Sequence, residues 1–142
     1  MTKSNSGIVC DLLHRQYNLR DITAVDDYIA EDHVDHNPIP GQEQGREGVR
    51  KAIQHVIDDA ETTCQIHLVI SEGDLVCSRY TLTKQHTRDF LGIRADGKTT
   101  RFHVIGIDRL ENGQIIESWG ALNSLDALGN QLGVDLGIPW GG

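Results

Sequence analysis

The run Gly48-Val-Arg-Lys-Ala-Ile-Gln-His-Val-Ile-Asp-Asp-Ala60, followed by Cys64-Gln-Ile-His-Leu-Val-Ile70, decides the fold class. In the first part Val49, Ala52, Ile53, Val56, Ile57 and Ala60 recur at i, i+3, i+4 spacing. Arg50, Lys51, Gln54, Asp58 and Glu61 take the other side. Such a stripe makes a helix with one packed face and one wet face. After Thr62 the period changes to that of a strand: Cys64, Ile66, Leu68 and Ile70 alternate with Gln65, His67 and Val69. A helix that hands over directly to a strand points to a mixed α+β domain.

Reading outward from this junction fills in the rest. Toward the N-terminus, Ile8, Val9, Leu12, Leu13 and Tyr17 predict a first helix of about three turns, broken at Asn18 to Asp21. Ile22, Val25, Tyr28 and Ile29 predict a short second helix. His33 to Gln44 reads as a loop or short strand, held by Pro38, Pro40 and Gly41. Toward the C-terminus, Ser71-Glu-Gly-Asp74 is a turn and Leu75 to Thr87 a long strand with Val76, Ser78, Tyr80 and Leu82 on one face. Arg88 to Lys98 is a loop anchored by Phe90, Leu91 and Ile93. Thr99 to Leu110 and Gln114 to Leu122 are strands joined through Glu111-Asn-Gly113, where Asn-Gly suits a type I′ hairpin. Ser124 to Leu132 predicts a short terminal helix. Residues 1–142 thus form a single domain, with a polar lead over Met1 to Gly7 and a Gly-rich tail over Val134 to Gly142.

Consecutive strands with short turns pair as neighbours, and a sheet of such long strands twists and curls. The expected architecture is a cone-shaped α+β barrel: three N-terminal helices packed on a curved antiparallel sheet, with a pocket at the open end. Net charge is −8, from 13 basic and 21 acidic residues without a Lys/Arg cluster, which argues against a nucleic-acid partner. No apolar run approaches the ~20 residues of a membrane span. The polar start has no apolar h-region, so a cytoplasmic location is expected. Cys10, Cys64 and Cys77 are odd in number and match no zinc spacing, and they read as reduced thiols.

Several short motifs, in order along the chain, resemble the SnoaL-like ester and polyketide cyclases. They are Asp35-His-Asn-Pro38, Gly45-Arg-Glu-Gly48, Glu72-Gly-Asp74, Gln85-His-Thr87, Phe90-Leu-Gly-Ile93, Asp96-Gly97, Glu111-Asn-Gly113, Glu117-x-Trp119 and Gln131-Leu-Gly133. The resemblance implies the nuclear-transport-factor-two-like superfamily, with ketosteroid isomerases as cousins. It implies an apolar pocket for a hydrophobic small molecule, aldol or isomerisation chemistry by proton transfer without cofactor or metal, and a homodimer paired through the outer face of the sheet. It also places the family's acid–base aspartate at Gly120 and its partner near Gly106, and a further carboxylate position of the ester cyclases at Asn123. None of these three can take a proton, so the fold carries over and the mechanism does not.

Candidate chemistry therefore rests on other residues. His36, His86 and His103 are candidate bases, since imidazole titrates near neutrality. His36 stands first because the cousin isomerases place a base at this junction; the structural alternative is a histidine capping the turn before Pro38. His86 and His103 read alternatively as hydrogen-bonded rim or interface histidines. His14, Tyr17, Asn37, Tyr80, Trp119 and Asn123 are candidate binding residues, with Tyr17 in the stretch where the cousins carry an oxyanion-donating tyrosine. Core packing competes for Tyr17, Tyr80 and Trp119, and helix capping for Asn123. Asp108 is read as an ion pair with Arg109 or Lys98 in preference to a pocket base. His33 and His36 form a His-x-x-His pair, but the prolines that follow favour extended chain, and no third ligand is spaced to complete a metal site. Three functions follow: a cyclase or isomerase, a cofactor-free hydroxylase, or a binding module that kept the pocket and lost the chemistry.

Overall fold

The computed structural model describes residues 3–86 and 96–137. The loop anchor Phe90, Leu91 and Ile93 and the end of the tail lie outside the described residues. The chain runs α1 (Asn5–Leu13), a π-helical turn (His14–Asn18), α2 (Thr23–Tyr28), β1 (Ile29–Asp35), α3 (Gly45–Asp59), β2 (Ala60–Glu72), β3 (Leu75–His86), β4 (Thr99–Glu111), β5 (Gln114–Leu122) and a second π-helical turn (Asp126–Gln131). The α+β class and the helices preceding a long-stranded sheet match the expectation. No described helix is long and apolar enough to cross a membrane.

The N-terminal lead is shorter than the sequence suggests. Ser4 accepts a hydrogen bond from the Gly7 amide at 3.1 Å and starts α1 at Asn5, the normal role of an N-cap serine. Ile8, Val9, Leu12 and Leu13 form the buried face of α1. The chain then widens into the π turn, which buries both Gln16 and Tyr17. The terminal segment also differs from a regular helix: it winds as a π turn and stops at Gly133, whose φ is +70°.

The largest difference is β1. It pairs in parallel with β5, with Ile29 opposite Ile115, Val34 opposite Glu117 and Asp35 opposite Ser118. The sheet order is β1-β5-β4-β3-β2, so four antiparallel strands carry one parallel edge strand. The register shifts between Ile29 and Val34. That irregularity removes the strict two-residue alternation by which a strand is recognised in sequence.

The antiparallel part follows the sequence closely. β2 and β3 pair from Glu72–Leu75 outward. The β4–β5 hairpin turns through Asn112 (φ +52°) and Gly113 (φ +77°), both positive as a type I′ turn requires. Cross-strand rows then fix the two faces. Ser78, Gly106 and Gly120 form one row on the concave side, and Val76, Asp108 and Ser118 form the next. Leu68, Arg79 and Ile105, and then Ile70, Cys77 and Ile107, form rows on the convex side. Leu68, Ile70, Ile105 and Ile107 are exposed there.

α3 packs on β1 and β2 and closes the concave side. Its approach is tied down by the Arg46 Nε donating to the Ile29 carbonyl at 2.7 Å. Gly48 allows the turn before α3 to fold against the helix: a Cβ there would stand 1.7 Å from the Glu43 carbonyl oxygen. Alanine is otherwise the better helix residue by about 1 kcal/mol. Gly48→Ala should nevertheless lower the unfolding free energy in urea by about 2 kcal/mol or more, because backbone must move. A stabilised Gly48→Ala variant would contradict this packing.

Candidate functional site

A cavity of about 250 Å³ lies between the concave face of the sheet, α1 and α3. Its apolar wall comes from the two helical stripes, Val9, Leu12 and Leu13 on α1 and Val49, Ala52, Ile53 and Val56 on α3. The polar groups converge from the other directions. The π turn presents Gln16 and Tyr17, β1 presents His33 and Asp35, and the segment after it presents Asn37. Ser78 and Tyr80 come from β3, Asp108 from β4, and Ser118, Trp119 and Gly120 from β5. Mostly apolar walls with a few convergent polar groups are the usual make-up of a small-molecule site.

Asp108 is the chemically distinctive member. Strand alternation turns it inward, away from both cations expected to neutralise it. Arg109 pairs instead with Asp74 at 2.7 Å and Glu117 at 3.1 Å, and Lys98 with Asp96 at 3.3 Å. The ion pair expected for Asp108 is therefore not formed. Its Oδ1 accepts a short 2.5 Å hydrogen bond from the Ser118 hydroxyl. Loss of water around its carboxyl pushes the pKa up to about 6; Ser118 opposes the shift, and the nearby charge of Asp35 adds to it. A carboxyl poised there takes or gives a proton near neutral pH.

Asp35 is held differently. Its Oδ1 accepts from the Asn37 amide and its Oδ2 from the Gln42 side chain, both at 2.9 Å. Asn37 in turn accepts from the Gly120 amide at 2.9 Å, which anchors the Asp35-His-Asn-Pro38 segment to β5. Tyr17 and Tyr80 both have pKa values raised by burial, so their hydroxyls remain donors. Neither hydroxyl has a hydrogen-bond partner among the described residues.

Two further groups lie outside the candidate site residues read from sequence, where His33 is weighed only as half of a metal pair and Gln16 not at all. His33 is buried, and its Nε2 lies 2.8 Å from the Ser118 hydroxyl. Burial lowers its pKa against the opposing pull of Asp35 and Glu117. Gln16 is buried beside Tyr17. The signal for both was weak: His33 needed β1 to be recognised as a strand, and Gln16, although in phase with Leu12 and Leu13 on the buried face, is polar and does not count toward an apolar stripe.

Of the predicted binding residues, Tyr17, Asn37, Tyr80 and Trp119 line the cavity. His14 and Asn123 do not. His14 is exposed and meets Asn18 at 3.1 Å. Asn123 accepts from the His103 amide at 2.7 Å and donates to Asp126 at 3.0 Å, which ties the last turn to β4.

The three histidines proposed as bases do not come together. The His36 Nε2 contacts Glu117 at 2.7 Å, and its ring stacks on Trp119 with centroids 4.7 Å apart and planes 7° from parallel. It braces a cavity residue without itself lining the cavity. His86 is buried at the far end of β3 against Thr100 at 2.7 Å. His103 lies on the convex side, where Thr81 bridges it at 3.0 Å to His67 at 2.7 Å.

Gly106 and Gly120 face each other directly across β4 and β5, and both line the cavity. A Cβ at Gly120 would meet nothing within 4 Å, and one at Gly106 would stand 3.5 Å from the Ser78 hydroxyl. The two glycines leave open space. The next inward pair on the same strands, Asp108 opposite Ser118, carries the polar groups. Among the described residues no group of three His, Cys, Asp or Glu side chains is placed to hold a metal ion.

A helix-capped curved sheet with a mixed apolar and polar cavity on its concave side defines the nuclear-transport-factor-two-like class. The chain belongs to the SnoaL-like polyketide cyclase family, whose model matches residues 8–132. Its fold is similar to that of TsrD from Streptomyces laurentii, at 24% identity and a TM-score of 0.82 over 95% of this chain and 99% of that one. It is also similar to IdmH from Streptomyces antibioticus, proposed to be a polyketide cyclase, at 26% identity and a TM-score of 0.81 over 93% and 100% of the two chains. AclR from Streptomyces galilaeus, proposed to be a hydroxylase, shares the fold at 18% identity and a TM-score of 0.76 over 91% and 95%. Comparison with curated proteins finds no match.

Proposed function

We propose that this protein catalyses cofactor-free proton transfer on a hydrophobic carbonyl compound, such as the ring closure or isomerisation of a polyketide-like substrate, with Asp108 as its acid–base group. The observation that carries this reading is the inward-facing Asp108 carboxyl, with its pKa raised to about 6 in a cavity of apolar walls. As a carboxylate it accepts the acidic C–H proton next to a carbonyl. As the resulting acid it returns that proton to the alkoxide that ring closure creates. The Tyr17 and Tyr80 hydroxyls, without hydrogen-bond partners among the described residues, supply the donors that an enolate oxygen needs. Family membership supports the cyclase class, and the glycines at positions 106 and 120 are offset by a carboxyl one pleat away.

His36 takes a supporting part in this reading: it braces Trp119 against the rim through stacking and Glu117. A panel of polyketide-like and steroid-like ketones, followed by cyclisation or by exchange of the acidic C–H with solvent deuterium, tests the assignment. Asp108→Asn should lower turnover about 10²- to 10⁴-fold. His36→Ala should leave kcat within about tenfold and act mainly on KM. An active Asp108→Asn variant beside an inactive His36→Ala variant would return the base to His36.

A second reading has its own support in the open space left by Gly106 and Gly120. It makes the protein a binding module, and it holds if such ketones raise the melting temperature while none is turned over.

The convex face supports a homodimer, since Leu68 and Ile70 on β2 and Ile105 and Ile107 on β4 are exposed there, on either side of Arg79 and Cys77 of β3. Sedimentation at micromolar concentration should give about twice the 15.7 kDa chain mass. A species at the chain mass would exclude a stable dimer through this face.

A further inference from the structure

The proton-transfer reading leaves one buried group unused. His33 is only 3% exposed, yet its Nδ1 has no hydrogen-bond partner. The one other buried side-chain atom in this condition among the described residues is Oε1 of Gln16, which is 5% exposed. Both residues line the same cavity. A buried polar atom without a partner costs about 1–3 kcal/mol, and two such atoms on residues of one cavity wall are where a ligand's polar groups would be satisfied.

The far side of the His33 ring is committed. Its Nε2 lies 2.8 Å from the Ser118 hydroxyl, which lies 2.5 Å from Asp108. A serine hydroxyl has one hydrogen to give. When Asp108 is a carboxylate, Ser118 must give that hydrogen to it. The serine oxygen then accepts from His33, so Nε2 carries the ring proton and Nδ1 presents a bare lone pair. When Asp108 is a carboxylic acid, every hydrogen in the chain can point the other way: Asp108 donates to Ser118, Ser118 donates to Nε2, and Nδ1 carries the proton. The two arrangements differ by one proton and no imidazolium is formed in either.

We infer that His33, Ser118 and Asp108 form a two-ended proton relay, in which the bare Nδ1 of His33 is the entry point for a proton donated by the ligand. This inference rests on the proton-transfer reading above and extends it from one group to three. The balance closes. A ligand O–H or acidified C–H gives its proton to Nδ1, the Nε2 proton passes to Ser118, and the Ser118 proton passes to Asp108. The ligand is left as an enolate or alkoxide, the imidazole stays neutral with its proton on the other nitrogen, and the carboxylate becomes an acid. Asp108 can then return a proton to a different atom of the same ligand. The ligand class follows: a hydroxylated or enolisable carbonyl compound that presents one donor to Nδ1 and a second to the Gln16 oxygen. Asp35, Glu117 and His36 are the other charged or titratable groups acting on His33, and their charges act on both arrangements.

The test needs no substrate, so its failure is separate from a failure to find turnover. The whole protein, labelled with ¹⁵N-histidine, is observed by long-range ¹⁵N–¹H correlation from pH 8 to pH 5, alongside the Asp108 side-chain ¹³C signal. At pH 8 His33 should hold its proton on Nε2, with Nδ1 bare. On acidification the Nε2–H form should give way with the same midpoint as the Asp108 carboxyl, since the pair titrates as one unit. Ser118→Ala should abolish the common midpoint, and Ser118→Thr, which keeps the hydroxyl, should restore it. A histidine proton on Nδ1 at pH 8 would overturn the relay. So would a common midpoint that persists in Ser118→Ala. The tautomer at pH 8 decides the matter even if the alanine variant does not fold.

Discussion

The parallel pairing of β1 with β5 is the constraint on which the site depends. It sets Asp35 opposite Ser118, and through the same edge it brings His33 to the Ser118 hydroxyl. The antiparallel pairing of β4 with β5 then sets Ser118 opposite Asp108. Ser118 is thus the crossing point of two registers. A slip of one residue in either would turn its side chain to the other face and leave the carboxyl and the imidazole separated. The Asn37 side chain, bound to the Gly120 amide, fastens the segment beyond β1 to the same strand.

The two carboxylates of the cavity show how environment divides their roles. Asp35 accepts one hydrogen bond on each carboxyl oxygen, from the Asn37 backbone amide and the Gln42 side chain. Asp108 has one serine hydroxyl, little water and a like charge nearby, and its pKa rises. The two carboxyls are therefore distinguished by their partners and not by residue type. The same logic explains the peripheral histidines. His86 and His103 each have a threonine hydroxyl on one ring nitrogen and serve the framework at opposite places in the sheet.

Much of the fold was legible because its signals are periodic. The α3 stripe, the alternation through β3 and the Asn112-Gly113 turn each follow from a single spacing rule, and the family motifs lie on those elements. The site was legible only in part. Tyr17, Tyr80 and Trp119 could be picked out as large residues, although Trp119 alternates out of phase with the inward Ser118 and Gly120. Asp108 was visible but misjudged, since a neighbouring Arg109 in sequence suggests an ion pair, while strand alternation sends the two side chains to opposite faces. His33 and Ser118 were hidden for a different reason. Their contact spans 85 positions and passes through a strand whose irregular register erases its periodicity. Gln16 was hidden by its polarity: it sits in phase with Leu12 and Leu13, but a helical stripe is traced by its apolar residues alone.

The proposed chemistry requires Asp108 to be held in the cavity with a raised pKa, and linkage gives a direct reading of that. An aspartate titrates near 3.9 when unfolded and at about 6 here. A pKa raised by folding adds stability below the unfolded value and loses it as pH rises through the folded one. The wild type should therefore lose stability relative to Asp108→Asn between about pH 4 and pH 7. The measurement is the difference in unfolding free energy between the two proteins across that range. It should move in favour of the asparagine variant by about 2 kcal/mol, a value reduced from the full shift because the residue is only half-buried. A difference that stays flat from pH 4 to pH 7, or moves in favour of the wild type, would contradict the placement of Asp108 and the chemistry built on it.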